Sequence, residues 1–221
     1  QTNEASISSL EKRIKNKKLL AEELGIGEIT LTDILKELEK PARTAVCILA
    51  DKEEIGSVGI SGMQSQVFDT FMQDLCDAQG VKLEDCFANS FCLSADVSNA
   101  FDPNFPETVD RRNNSQLNYG VSICKYTGSR GKGGASDASA EAMGHIRKTF
   151  GEAGVTWQIA TLGKVDQGGG GTVAAYMANR NIVTVDAGVP VLAMHAPLEV
   201  VSKLDFYMTK QACKAVYLAD F

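Results

Sequence analysis

Acidic residues and one histidine follow three apolar stretches of the sequence that have the composition of buried strands. The first stretch runs into the Asp-Lys-Glu-Glu sequence of residues 51–54, the second ends at Asp96, and the third ends at His195. In open α/β sheets, ligands bind outside the carboxyl ends of the strands, so we expect these side chains to lie near one edge. Carboxylates and an imidazole suit Zn²⁺, Mn²⁺ or Co²⁺. The pattern therefore indicates a metal site.

The adjacent carboxylates Glu53 and Glu54 are the most informative part of this pattern. Because neighbouring side chains on an extended strand point in opposite directions, one can hold a metal while the other faces its bound water. Metal-assisted hydrolysis needs these two roles, because the metal lowers the pKa of the water and a free carboxylate accepts its proton. The alternative for this pair is an ordinary charged turn. For His195, the alternative is a core histidine whose hydrogen bonds are satisfied within the protein.

Two glycine-rich segments resemble phosphate-binding loops. They span residues 128–134 and residues 168–171, and Thr172 follows the second. Neither has the spacing of a P-loop or of the dinucleotide-binding fingerprint. We interpret both as backbone that closely approaches a substrate or metal, with Gly169 and Gly170 as substrate-binding positions. A nucleotide-binding module is the alternative.

Helical and strand patterns alternate along the chain, which predicts an α/β protein with a mixed, largely parallel sheet. The predicted helices span residues 7–24, 30–38, 61–79, 136–150, 173–180 and 198–217. The predicted strands span residues 42–51, 87–98, 117–126, 155–162, 181–188 and 189–195.

Composition and charge exclude several classes of protein. The 221 residues carry a net charge of −6, which argues against a nucleic-acid partner. The basic cluster at residues 12–18 is typical of a helix face exposed to solvent. No apolar run is long enough for a membrane span, and the N-terminus is too polar for a signal peptide. The six cysteines form no C-x-x-C pair, and Cys47, Cys92 and Cys124 lie in apolar runs, so we expect buried thiols. Because free thiols are typical of a reducing compartment, we expect a cytoplasmic protein.

Five segments, taken in order, resemble clostridial-type members of the aspartyl aminopeptidase / vacuolar aminopeptidase I family. They are DKEEIGS (51–57), SADVSNAFDPNFPE (94–107), KYTGSRGKGGASDASAE (125–141), GKVDQGGGGT (163–172) and DAGVPVLAMHAPLEVVSK (186–203). The resemblance covers about residues 36–219. It implies a three-layer sandwich around a mixed, mostly parallel sheet, the phosphorylase/hydrolase-like catalytic domain of zinc exopeptidases. We assign residues 41–221 to this domain and residues 1–40 to an N-terminal helical segment.

The resemblance also implies roles for single residues. Glu53 would be the general base of a metalloaminopeptidase. Glu54, Asp96 and His195 would be ligands of two divalent ions. Zinc is the expected metal, and cobalt and manganese are the alternatives. Lys125 would contact the peptide substrate, although it also fits a solvated loop charge. The family name suggests acidic N-terminal residues as substrates, and the family assembles as a tetrahedral homo-dodecamer.

The sequence departs from the family pattern upstream of the Glu-Glu pair. Relatives supply a histidine and a metal-bridging aspartate there, whereas no histidine precedes His145, and Asp33 lies too near Glu53 to match. A longer polypeptide, a sequence with segments missing, and an inactive short paralogue are the three explanations. Retention of all four candidate site residues favours an incomplete chain. A non-catalytic assembly or regulatory homologue is the alternative function.

Overall fold

The computed structural model describes Ile34, residues 41–164 and residues 166–221. Ile34 is helical, in agreement with the helix predicted there. The rest of that helix, the helix at 7–24, the basic cluster and the proposed 1–40 segment lie outside the described residues. Residues 41–221 belong to one compact unit, Lys40–Phe221.

The described residues from 41 onward contain both helices and strands. The α-helices are α1 (Val67–Gln79), α2 (Leu83–Ala88), α3 (Ala140–Glu152), α4 (Ala174–Ala178) and α5 (Lys203–Leu218). The strands are β1 (Phe91–Ser94), β2 (Ser98–Asn99), β3 (Val121–Cys124), β4 (Tyr126–Ser129), β5 (Gly133–Asp137), β6 (Trp157–Ile159), β7 (Val183–Gly188), β8 (Pro190–Leu192) and β9 (Val200–Val201). Short 3-10 turns cover Glu53–Ile55 and Pro106–Thr108.

The central sheet has the strand order β1-β7-β3-β6. The β1–β7 and β3–β6 pairs are parallel and the β7–β3 pair is antiparallel, which confirms the mixed, mostly parallel sheet. Strand β7 is central, and its Asp186 lies in register with Ser94 of β1 and with Cys124 of β3. The carboxyl ends of β1 and β7 therefore lie at the same edge.

Helices cover both faces of this sheet, which confirms the sandwich. On one face, Val185 and Ala187 of β7 pack with Ile146 and Phe150 of α3 and with α5. On the other face, α1, α2 and α4 pack around a cluster that includes Phe68. Alternation along β7 places Thr184 and Asp186 opposite Val185 and Ala187. Burying each large apolar side chain contributes about 1.5–3 kcal/mol.

Side-chain caps fix where two of the helices begin. The Ser139 hydroxyl accepts a hydrogen bond from the amide of Ala142 and caps α3. The predicted start of this helix at residue 136 was wrong, because Ser136 belongs to β5. Ser202 caps α5 in the same way, and the buried Asp205 in the first turn of α5 accepts from the amides of Asn118 and Gly120. Asp205 thereby ties α5 to the start of β3.

Several predicted elements differ from the structure. Residues 42–51 form no strand, although they are held to the rest of the unit by contacts such as the hydrogen bond from the Tyr217 hydroxyl to the carbonyl of Val46. Ile48 and Leu49 are exposed there, so the apolar composition does not reflect burial. The strand predicted from residue 87 begins only at Phe91, because α2 continues to Ala88. The glycine-rich segment at 128–134, which resembles a phosphate-binding loop, is largely the β4–β5 hairpin.

All six cysteines are free thiols. Cys124 is buried as predicted, whereas Cys47 and Cys92 are only partly buried. Desolvation raises the pKa of Cys124 to about 11, so this thiol stays protonated at neutral pH. Within the described residues, no helix combines the length and the apolar character that a membrane crossing needs.

Candidate functional site

A tight turn carries the Glu53-Glu54 pair. Lys52, Gly56 and Ser57 have left-handed backbone, with φ of 58°, 91° and 56°. The amide of Gly56 donates to the carbonyl of Glu53 over 2.9 Å, and the amide of Ser57 donates to the carbonyl of Lys52 over 2.7 Å. Side chains other than glycine disfavour this conformation by about 1–2 kcal/mol each. The surrounding structure must therefore hold the turn in place.

The carbonyl of Gly56 is the point at which the turn is held. It accepts a hydrogen bond from Gln64 Nε2 over 2.6 Å and one from the Tyr176 hydroxyl over 3.4 Å. The two donors also contact each other, at 3.3 Å. Because Tyr176 belongs to α4, a helix distant in sequence fixes the orientation of Glu53 and Glu54.

Asp96 lies two residues beyond the end of β1. Its Oδ1 accepts a hydrogen bond from the amide of Val97 over 2.8 Å. The backbone of Gly188, at the end of β7, passes so close that an added Cβ would lie 1.5 Å from the carbonyl oxygen of Asp96. A glycine at this position allows Asp96 to approach the end of the central strand.

His195 lies beyond the end of β8 in a left-handed turn, with φ 67°. Its amide donates to Glu199 Oε1 over 2.5 Å, which fixes the backbone. Its Nδ1 lies 3.4 Å from Glu54 Oε2, and the two side chains are 63% and 71% exposed. An exposed pair of this kind adds at most about 1 kcal/mol to stability. The structure thus brings together two of the predicted metal-binding residues.

The four candidate side chains also interact electrostatically. Desolvation raises the pKa of Glu53, and the negative charges of Asp96 and Glu54 raise it further while His195 opposes them. Desolvation is also the main cause that raises the pKa of Asp96, where Glu54 adds to the rise. A carboxyl group that holds its proton more readily than usual is suited to accepting a proton from a reactant.

The donor types fit a divalent metal, but the described residues do not complete a metal centre. Glu54 and His195 supply an oxygen and a nitrogen at contact distance. In the part of the chain that the structure describes, no three His, Cys, Asp or Glu side chains are arranged to hold an ion. The arrangement offers two adjacent donors, with Asp96 nearby.

The predicted substrate-binding residues lie around the β4–β5 hairpin. The Lys125 ammonium is paired with the carboxylate of Asp137. Gly169, with φ 78°, packs so tightly that a Cβ would lie 2.7 Å from the carbonyl oxygen of Gly128. A Cβ at Gly170 would only touch Leu162, at 3.4 Å. The close approach that required glycine at 169 is therefore to the protein's own backbone.

Asp186 is a candidate functional residue to which the sequence analysis gave no role. It is 6% exposed and its Oδ2 accepts from Thr172 Oγ1 over 2.8 Å. Desolvation raises its pKa to about 6, and the charge of Asp96 contributes. The sequence signal was an aspartate between apolar residues of a buried strand, since such a group needs partners.

The elevated pKa of Asp186 predicts a pH-dependent stability. A carboxyl whose pKa is higher in the folded chain stabilises it fully at low pH, and this contribution is lost as pH rises through about 6. In chelator-treated protein, we expect the unfolding free energy of wild type relative to Asp186→Asn to fall between pH 4 and pH 7. Urea denaturation at each pH measures this difference. A difference that stays constant, or that grows with pH, would contradict the assignment.

A hollow among the described residues lies next to the candidate site. Its volume is about 660 Å³, and most of the residues that line it are polar. It contacts the Glu53 turn only through Gln64 and Tyr176, and an Arg180–Asp69 ion pair of 2.7 Å lies in its wall. None of the four candidate site residues lines this hollow, so its volume does not indicate where the candidate site lies.

Comparison with known proteins identifies the family. Residues 27–217 match the model of the aminopeptidase I zinc metalloproteases (M18), and residues 1–44 match the model of an HHH domain. A probable M18 family aminopeptidase 1 of Clostridium acetobutylicum is 45% identical over 190 residues, which are 84% of this chain and 41% of the relative.

Solved structures of M18 aminopeptidases also match this chain. The crystal structure of aminopeptidase I from Clostridium acetobutylicum matches with a TM-score of 0.78 at 44% identity, over 86% of this chain and 41% of that one. The Saccharomyces cerevisiae mApe1 dodecamer matches with a TM-score of 0.63 at 24% identity, over 76% of this chain and 36% of that one, which shows a shared fold. The chain spans about two fifths of the length of its clostridial relative. From the match over residues 27–217 and the identity to the clostridial protein, we conclude that this chain belongs to the M18 family of aminopeptidase I zinc metalloproteases.

Proposed function

We propose that this chain provides the catalytic region of a metalloaminopeptidase that removes the N-terminal residue of peptides. Glu53 acts as general base, and Glu54, Asp96 and His195 are ligands of two divalent ions, zinc in the first place, with cobalt or manganese as alternatives. The observation that carries the proposal is the Glu54–His195 contact beside Glu53, in a chain of the M18 family. Bound metal would supply an acidified water and Lewis-acid polarisation of the peptide carbonyl.

Glu53 has the environment that its role requires. Its carboxyl is partly buried, and both desolvation and the neighbouring carboxylates raise its pKa. A base with a raised pKa takes the proton of the attacking water more readily and can return it to the departing amine. The hydrogen bonds from Gln64 and Tyr176 to the Gly56 carbonyl hold the turn, so Glu53 needs little reorganisation.

The substrate contacts belong to the same proposal. Backbone groups at Gly169 and Gly170 position the peptide, and the Lys125 ammonium recognises an acidic N-terminal residue by exchanging its present partner Asp137 for the substrate. We further propose a homo-oligomer, with the yeast mApe1 dodecamer as precedent. A cytoplasmic location is compatible with six free thiols.

Metal titration and peptide hydrolysis test the proposal together. We expect the chelator-treated chain to bind Zn²⁺ in calorimetry, and the Zn²⁺-loaded chain to release N-terminal residues from dipeptides, acidic ones fastest. His195→Ala should weaken Zn²⁺ binding at least tenfold, since one donor is lost. His145→Ala is the matched control, because His145 is exposed on α3 away from the site. Equal Zn²⁺ affinity of both variants, or no hydrolysis of any dipeptide, would contradict the proposal.

One observation favours a second candidate, a non-catalytic assembly or regulatory homologue. The described residues bring together no three metal-binding side chains, as a chain that had lost its chemistry would show. This candidate expects neither Zn²⁺ binding nor hydrolysis in the same experiment. A nucleotide-binding module is disfavoured, because neither glycine-rich segment has the spacing of a P-loop or of the dinucleotide-binding fingerprint.

A further inference from the structure

The buried carboxylate of Asp186 links two segments that are far apart in sequence. Its Oδ2 accepts from Thr172 Oγ1 over 2.8 Å and from Thr127 Oγ1 over 3.4 Å. Both threonines are buried. Thr172 ends the glycine-rich segment at 168–171, and Thr127 belongs to β4. One acceptor oxygen on the central strand therefore holds both segments.

The two segments also pack backbone against backbone. A Cβ at Gly171 would lie 2.7 Å from the carbonyl oxygen of Gly134, and a Cβ at Gly169 would lie equally close to that of Gly128. The amide of Arg130 donates to the carbonyl of Gly168 over 2.8 Å. The glycine-rich segment and the β4–β5 hairpin are therefore packed against each other, and both are hydrogen-bonded to Asp186 on β7 through the two threonine hydroxyls.

The anchor lies directly behind the candidate site. Asp96, Thr127, Thr172, Asp186 and Gly188 line one small cavity of about 10 Å³. Asp186 thus connects the glycine-rich segment to the strand edge that carries Asp96.

We propose that Asp186 is a positioning residue, which through Thr172 and Thr127 sets the distance between the substrate-binding backbone at Gly169–Gly170 and the carboxylates at the sheet edge. The inference rests on the proposed aminopeptidase function. Its consequence is that loss of the Thr172 hydroxyl displaces the glycine-rich segment and weakens substrate binding, while Glu53 and the metal-binding side chains keep their places.

Three threonine variants test this. Thr172→Val removes the hydroxyl at nearly constant shape, and Thr172→Ser keeps it. Thr184→Val is the matched control, because Thr184 is also buried on β7 but donates to the carbonyl of Ile182. We expect Thr172→Val to raise KM about tenfold with kcat within threefold, consistent with loss of a hydrogen bond to a charged group. Thr172→Ser and Thr184→Val should stay within twofold of wild type in KM. A Thr172→Val variant with the KM of Thr184→Val would overturn the proposal, as would a loss confined to kcat.

Amide hydrogen exchange separates this inference from the proposed function. If wild type hydrolyses no peptide, the aminopeptidase proposal fails, and exchange alone then decides the positioning role. Faster exchange in Thr172→Val than in Thr172→Ser, confined to residues 127–134 and 168–172, supports positioning. Unchanged exchange there, or faster exchange across the whole chain, refutes it. Thr127→Val provides the same comparison if Thr172→Val does not fold.

Discussion

Glu53→Gln is expected to lower peptide turnover about 10²–10⁴-fold, the usual cost of losing a general base. Glutamine has nearly the same shape as glutamate but cannot accept the proton of the attacking water. Because Glu53 is proposed as the base and not as a ligand, Zn²⁺ affinity should stay within about threefold of wild type. Steady-state kinetics on a dipeptide and calorimetric Zn²⁺ titration measure the two quantities.

The control for this variant is Glu84→Gln. Glu84 is exposed in the first turn of α2, so neutralising it changes the net charge equally and leaves the site untouched. Full activity of Glu53→Gln would refute the assignment of the base. A simultaneous large loss of Zn²⁺ affinity would show that Glu53 is a ligand, which would reverse the proposed roles of Glu53 and Glu54.

Gly188→Ala should have the largest effect on stability. Its Cβ would lie 1.5 Å from the carbonyl oxygen of Asp96, a separation that no non-bonded contact allows. Either β7, which is the central strand, or the Asp96 segment must move. Overpacking in a core costs about 1–3 kcal/mol and more where backbone is displaced, so we expect a loss of at least about 3 kcal/mol. Urea denaturation measures the loss.

The matched control is Gly144→Ala on α3. An added Cβ at Gly144 meets no atom within 4 Å, and alanine favours a helix by about 1 kcal/mol over glycine. Gly144→Ala should therefore raise the urea midpoint while Gly188→Ala lowers it. Where Gly188→Ala remains folded, its Zn²⁺ affinity should fall, because Asp96 is displaced. Wild-type stability of Gly188→Ala would show that Asp96 does not lie where the structure places it.

The family-level features of this protein follow from its sequence. Alternating strand and helix patterns predicted an α/β protein with a mixed, largely parallel sheet, because apolar periodicity indicates which faces are buried. The sandwich was implied by the family resemblance. The strand-end positions of Asp96 and His195 predicted that both lie at one edge of a single sheet, but β8, which precedes His195, belongs to a second sheet with the order β2-β8-β9. The glycine-rich segments were predicted to approach a substrate or metal closely, whereas at Gly169 and Gly171 the close approach is to the protein's own backbone.

Other features depended on contacts between distant residues. The apolar run at 42–51 has strand composition, yet it forms no ladder, since pairing depends on which strands lie beside it and not on its own residues. Asp186 gained importance only when the fold brought Thr127 and Thr172 to one carboxylate oxygen. The sequence determined which residue types could do chemistry and on which elements they lie. The tertiary structure decided which of them meet, because a side chain's partners and burial are set by backbone packing across the whole sheet.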